Sequence, residues 1–298
     1  MARRHTRGPG PRLPDGEVPI STGTARVRRD GPAHVTLMVN GVPSSPLDLA
    51  DPTWLEFEYM QQMAAVVDQL PAGPVTAVHL GAGGCALARW MHAVRPGSRQ
   101  LAVDVDAELV RLVREWFDLP RAPQLRLRAQ DARAAVAGLR DGSVDVVIRD
   151  VFATDATPAE LCTAEFVADV ARVLAPGGLY LANCADRPPL RRARAEAATV
   201  AAVLADAAVI AEPALLKGRH YGNLVIAGTR SAAGPALDAA PLARALRSLP
   251  VPAHLLHGPD LAAFIGGARP LHDDAAAGVG VEPSPDAQEA APGAGTAS

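Results

Sequence analysis

Apolar positions along this chain follow two periods in turn, and the change between them sets out its organisation. From 24 to 49 they alternate: Thr24-Ala-Arg-Val-Arg, His34-Val-Thr-Leu-Met-Val and Val42-Pro-Ser-Ser-Pro-Leu, with Asn40-Gly41 before the last run. Alternation marks a half-buried strand, and Asn-Gly suits the positive φ angles of a two-residue hairpin turn. A small antiparallel N-terminal sheet is predicted. Beyond Asp51-Pro-Thr the period lengthens, and Leu55, Tyr59, Met63 and Val66 predict a helix over 54–70.

The next stretch alternates the two kinds of element. Strands are predicted at 76–80, 100–105, 125–129, 144–148 and 179–183, with helices at 85–94, 107–117, 163–174 and 190–205, and Pro176-Gly-Gly as a turn. Such alternation argues for an α/β, doubly wound, mostly parallel sheet. Two further strands, 208–211 and 223–227, are separated by too short a gap for a crossover helix, so they should pair antiparallel. Short outer helices are expected from 241 to 264.

Composition narrows this little. The chain has 298 residues, 49% hydrophobic and 20% charged, enough for a real core, with a net charge of -3. That balance gives no reason to expect nucleic-acid binding. Cys85, Cys162 and Cys184 form neither a disulfide framework nor a zinc pattern, no apolar run reaches membrane-spanning length, and the Arg- and Pro-rich start lacks a signal peptide's apolar core. A cytoplasmic protein without membrane or nucleic-acid partners is expected. The expected divisions are a basic disordered tail over 1–20, the N-terminal hairpin domain with its linking helix over 21–70, a Rossmann-like catalytic domain over 71–270, and a second disordered tail over 271–298.

Candidate chemistry lies at the ends of successive strands. The first closes on Gly81-Ala-Gly83-Gly84-Cys-Ala, where glycines allow a sharp turn and close approach to a ligand, and a helix N-terminus follows. The next three close on Asp104, Asp131 and Asp150. Asp104 is spaced from the glycine loop as a ribose-binding acid would be, with Asp106 a rival better suited to capping the next helix. Asp131 can cap a helix or accept an adenine amine. Asp150 ends an apolar run with no helix directly after it, so a structural reason for it is hard to find. The loop also fits a loose dinucleotide fingerprint, which alone is weak. His79 and Cys85 have no visible catalytic partner and are expected to pack.

From about His34 to Asp273 the chain resembles the spermidine synthase family, on a seven-stranded methyltransferase-like sheet. The hairpin at Asn40-Gly41, Leu55-Glu-Phe-Glu-Tyr-Met-Gln-Gln-Met, the glycine loop, Val103-Asp-Val-Asp, Gln130-Asp-Ala, Val147-Ile-Arg-Asp-Val-Phe and Tyr221-Gly-Asn-Leu-Val carry the resemblance. It implies aminopropyl transfer from decarboxylated S-adenosylmethionine to an amine, without a metal. By that resemblance Gly81, Gly83 and Gly84 line the donor, Asp104 binds ribose, Asp131 and Ala132 sit by adenine, and Asp150 receives the amine's proton. Tyr59, Gln61, Asp155 and Tyr221 are the expected acceptor-side residues, and a homodimer is one expectation, since family members are often dimers.

The departures are as informative. The family's glycine-loop aspartate, which meets the donor amine, falls on Gly84; the second acid of its D-x-x-D pair falls on Ala153, with Asp155 close by; its Tyr-His-Glu appears as Tyr59-Met60-Gln61. An acid at position 84 would repel the carboxylate of intact S-adenosylmethionine, so its loss leaves a small-molecule methyltransferase as the competing reading. A non-catalytic nucleoside-binding protein is a third, and an NAD-dependent oxidoreductase a distant fourth.

Overall fold

The computed structural model describes residues 13–153 and 156–276; Asp155, residues 1–12 of the expected first tail and 277–298 of the second lie outside the described residues, while the start of the second, expected to be disordered, holds a short helix, Asp273–Ala276, whose Asp273 accepts from Arg133. Four strands, β1 (Val18–Ile20), β2 (Gly23–Arg29), β3 (His34–Val39) and β4 (Val42–Asp48), form an antiparallel N-terminal sheet in chain order. Asn40 and Gly41 take φ of 51° and 78°, as the predicted hairpin turn requires. β1 lies within the stretch that composition marked as a tail, and it pairs in register with β2.

Helix α1 (Glu58–Val67) begins at 58, where periodicity predicted 54. The intervening chain is held in turns by its acids: Asp48 Oδ1 accepts the Ala50 and Asp51 N–H groups, and Asp51 Oδ1 accepts the Thr53 N–H and hydroxyl. Local bonds of this kind compete with the helix ladder.

The second sheet contains β5 (Thr76–Leu80), β6 (Arg99–Asp104), β7 (Leu125–Ala129), β8 (Val144–Arg149), β9 (Leu174–Asp186), β10 (Asp206–Ala211), β11 (Gly222–Thr229) and β12 (His254–His257). Its order is β12-β10-β11-β9-β8-β5-β6-β7. β5 to β9 are parallel, and β11 runs antiparallel to both β9 and β10. The seven expected strands are all present. The eighth, β12, adds antiparallel to the outer edge of β10, where only helices were expected. Four residues, His-Leu-Leu-His, hold no legible alternation, so that strand depends on the edge it meets. β9 also runs through Pro176-Gly-Gly: its register to β8 jumps from Leu174 to Leu179, so the predicted turn is a bulge within one strand.

Helices α2 (Ala86–Val94), α3 (Ala107–Trp116), α4 (Ala132–Ala137), α5 (Ala164–Val173), α6 (Arg191–Val203), α7 (Pro213–Leu216), α8 (Ala240–Arg247) and α9 (Gly258–Ile265) connect and flank the strands. One core joins α1, α2, α3 and α8 to the N-terminal sheet, and the other lies under α4, α5, α6 and α9. Alternating strand residues divide between them: Val146 and Ile148 face the first core, Val147 the second. From β5 the chain steps outward to β6 and β7, then returns to place β8 on the other side of β5. The switch point therefore lies between the ends of β5 and β8, where sheets of this kind bind ligands.

Candidate active site

Gly81 leaves β5 with φ +84°, and a Cβ there would lie 2.0 Å from the Asp150 carbonyl oxygen. The ladder explains this closeness, because Asp150 N–H donates to Leu80 O at 2.8 Å and Gly81 N–H to Val103 O at 2.9 Å. Only glycine lets the loop pass between its two neighbouring strands. Gly83 and Gly84 meet a different element. A Cβ on Gly83 would lie 2.7 Å from Ser45 Oγ, and one on Gly84 2.8 Å from Ser45 Cβ and 3.1 Å from Leu47 Cδ1. The Gly84 N–H donates to Ser45 Oγ at 2.9 Å. β4 of the N-terminal sheet thus occupies the space into which a side chain at position 84 would project. A side chain at position 84 would require Ser45 or Leu47 to move.

Asp104 ends β6 beside this loop. Its Oδ2 accepts the Gly83 N–H at 3.2 Å and its Oδ1 the Asp106 N–H at 3.1 Å. Burial raises its pKa above the ordinary carboxylate value, against the N–H groups of Asp106, Gly83 and Ala82, which favour the charge. Asp106 does structural work. It caps α3 through Leu109 N–H at 2.7 Å and also takes Ser21 N–H, Thr22 N–H and the Thr22 hydroxyl, tying the N-terminal sheet to the larger one. Burial works against its charge, but these bonds outweigh it and lower its pKa.

Asp131 caps α4, its Oδ1 accepting Ala134 N–H at 2.8 Å, and it is exposed on the rim beside buried Ala132. The capping role left open by the sequence is realised. Val105, between Asp104 and Asp106, is 68% exposed, an apolar surface beside Asp104 that sequence reasoning passed over.

Asp150 follows β8. Tyr59, from α1 on the first face, donates its hydroxyl to Asp150 Oδ2 at 2.8 Å, and Asn183, on β9, donates Nδ2 to Oδ1 at 2.9 Å. Burial raises the Asp150 pKa; the two hydrogen bonds and the nearby Arg149 charge oppose it without cancelling it. Tyr59 is buried and its pKa is driven well above the usual phenol value, so it stays a donor. The result is an oriented carboxylate, more basic than one in water, at the topological switch point.

Two other expected residues have contacts of their own. Gln61 gives Nε2 to Leu55 O at 2.7 Å and Glu56 O at 3.4 Å, so its amide nitrogen secures the entry into α1 rather than an acceptor. Tyr221 is 53% exposed at the start of β11, with the Arg187 guanidinium 5.9 Å from its ring centre. His79 is buried against Gln100 at 2.9 Å, and burial pushes its pKa down to about 4, leaving it neutral. Burial pushes the Cys85 thiol up to about 12, and both residues are packing residues as expected.

Ser45 and Asn183 were missed. Asn183 had a signal: it is the first polar residue after Leu179-Tyr-Leu-Ala, the same pattern that marked Asp150. Ser45, in a Pro-flanked strand, had none. Among the described residues no group of three His, Cys, Asp or Glu could hold a metal ion, and no helix is long and apolar enough to cross a membrane.

Comparison with known proteins places this geometry. Residues 78–182 match a family described as a methyltransferase domain. A polyamine aminopropyltransferase of Neisseria meningitidis is 26% identical over 140 residues, 47% of this chain and 53% of that protein, so the chain spans about half the length of such curated relatives. The human eEF1A lysine and N-terminal methyltransferase is 24% identical over 159 residues, 48% of this chain and 23% of that one. A crystal structure of a probable spermidine synthase from Corynebacterium glutamicum superposes with a TM-score of 0.81 at 38% identity, covering 91% of this chain and 99% of that one. With that relative matched over nearly its whole length, the chain belongs to the spermidine synthase family, an enzyme of the transferase class on the S-adenosylmethionine-dependent methyltransferase fold.

Proposed function

We propose that the protein transfers an aminopropyl group from decarboxylated S-adenosylmethionine to an amine acceptor, as a step of polyamine metabolism, with Asp150 as the base. The observation that carries this reading is the half-buried Asp150 carboxylate fixed between Tyr59 and Asn183 beside the glycine loop. A free amine with a pKa near that of lysine, about 10, is mostly an unreactive ammonium at neutral pH. Asp150 orients it and takes one proton as the nitrogen lone pair attacks the propyl carbon. The new N–C bond forms while the C–S bond breaks, and its electron pair neutralises the sulfonium to give methylthioadenosine. No acid is needed for that leaving group, and alignment of the two reactants supplies much of the acceleration. Asp104 takes the ribose hydroxyls, and Asp131 and Ala132 bound the adenine. The intact Asp150 network favours this over a nucleoside-binding protein without catalysis, and membership of a transferase family removes the oxidoreductase.

One observation favours a second reading, methyl transfer from intact S-adenosylmethionine. Ser45 and Leu47 fill the space beside Gly84, so no acid there repels the donor carboxylate. Calorimetry with decarboxylated and intact S-adenosylmethionine separates the two. Preference for the decarboxylated donor is expected; tighter binding of the intact one would favour methylation.

A further inference from the structure

Arg149, the residue before Asp150, is the largest fully buried side chain described, with no exposed surface. A cation there has no place in a simple apolar core, and its contacts explain it. Nη1 donates to Leu161 O at 3.3 Å and Cys162 Sγ at 3.0 Å; Nη2 donates to Asn183 O at 3.1 Å and Glu196 Oε2 at 2.5 Å. One guanidinium thus joins β8, the turn before α5, α6 and the point on β9 that carries Asn183. The same Asn183 holds Asp150 from its side chain. The groups facing Arg149 are Glu196 from α6, Tyr180 and Cys184 from β9, and Cys162. Burial raises the pKa of Tyr180 and of both thiols, keeping them neutral, so Glu196 is the one anion among these groups that balances the cation. The groups facing Asp150 are Tyr59, Asn183 and Arg149 itself.

We propose that Arg149 is a positioning residue: its guanidinium, paired with Glu196, fixes the part of β9 that presents Asn183 to Asp150. A buried ion pair is weak support for stability, since apolar replacement of both partners is often neutral. This one is joined to the proposed base through Asn183, whose carbonyl accepts from Arg149 and whose amide donates to Asp150. The inference rests on the reading of Asp150 as base, but its test does not need turnover.

The test is an NMR titration of the Asp150 side-chain carboxyl, identified by its loss in Asp150→Asn, together with the pH profile of kcat. In Glu196→Gln the cation is less balanced, and the Asp150 midpoint should fall by about half a pH unit; in Arg149→Met/Glu196→Leu, which leaves no buried charge unpaired, it should rise by about one. The acid limb of kcat should move with each midpoint. A purely structural pair would lower stability and leave both midpoints in place, and that result, or shifts of the same sign, would overturn the proposal. Should the double variant fail to fold, an unshifted midpoint in Glu196→Gln alone overturns it. Full turnover in Asp150→Asn would instead remove the base reading, while the NMR midpoints still decide the role of Arg149.

Discussion

The proposed donor half and the proposed acceptor half of this site are built in different ways. The donor half is local: Gly81, Gly83, Gly84, Asp104 and Asp131 close successive parallel strands, and backbone N–H groups orient the key carboxylate. The acceptor half is assembled from afar. Tyr59 and Asp150 are 91 positions apart, Asn183 and Asp150 33, and they meet only because α1 packs on one face of the sheet while β9 lies beside β8. The two halves meet where Gly81 passes close to the Asp150 carbonyl and Asp150 N–H bonds Leu80 O.

Mutations should separate the halves. The largest effect is expected for Asp150→Asn, a loss of roughly a thousandfold in turnover, within the range for general-base catalysis, with donor affinity nearly unchanged by calorimetry. Normal turnover would break the comparison. Asp104→Ala should act on the other half, weakening donor binding about tenfold to a hundredfold, the worth of hydrogen bonds to a charged group. An unchanged dissociation constant would refute its ribose role.

Tyr59→Phe should lower kcat about tenfold by removing one hydrogen bond to the base. It should also shift the pH profile. As the proposed base Asp150 would act ionised, so activity should fall as pH drops through its pKa, which burial already holds above the ordinary carboxylate value. Loss of the Tyr59 donor destabilises the charged form, so the acid limb should move to higher pH. A limb that stayed in place would show that the phenol serves packing alone. The smallest effect is expected for Asp131→Ala, which removes the α4 cap at a cost of about 1 kcal/mol. Thermal denaturation should register a drop of roughly 2–4 °C.

The contrast between the halves also accounts for what the sequence disclosed. Strand ends are legible because apolar runs stop at a polar residue, and the glycine loop, Asp104, Asp131 and Asp150 all announce themselves that way. Asp106 was separable from Asp104 by its place before a helix, and its capping bond bears that out. Tertiary partners leave no such mark. Nothing in Pro43-Ser-Ser-Pro46 says that Ser45 will fill the space beside Gly84, and nothing in His254-Leu-Leu-His257 says that it extends a sheet. Gln61 was placed by alignment to a motif, whereas its own backbone contacts decide where its amide goes. The resemblance identified the family; the contacts of Asp150 had to be read from packing.

The reaction itself is tested most directly by identifying what is transferred. Wild-type protein would be incubated with decarboxylated and intact S-adenosylmethionine in competition over a panel of mono- and diamines, and the products identified by mass spectrometry. An aminopropylated amine with an equal amount of methylthioadenosine is the predicted result. A methylated amine with S-adenosylhomocysteine would contradict it.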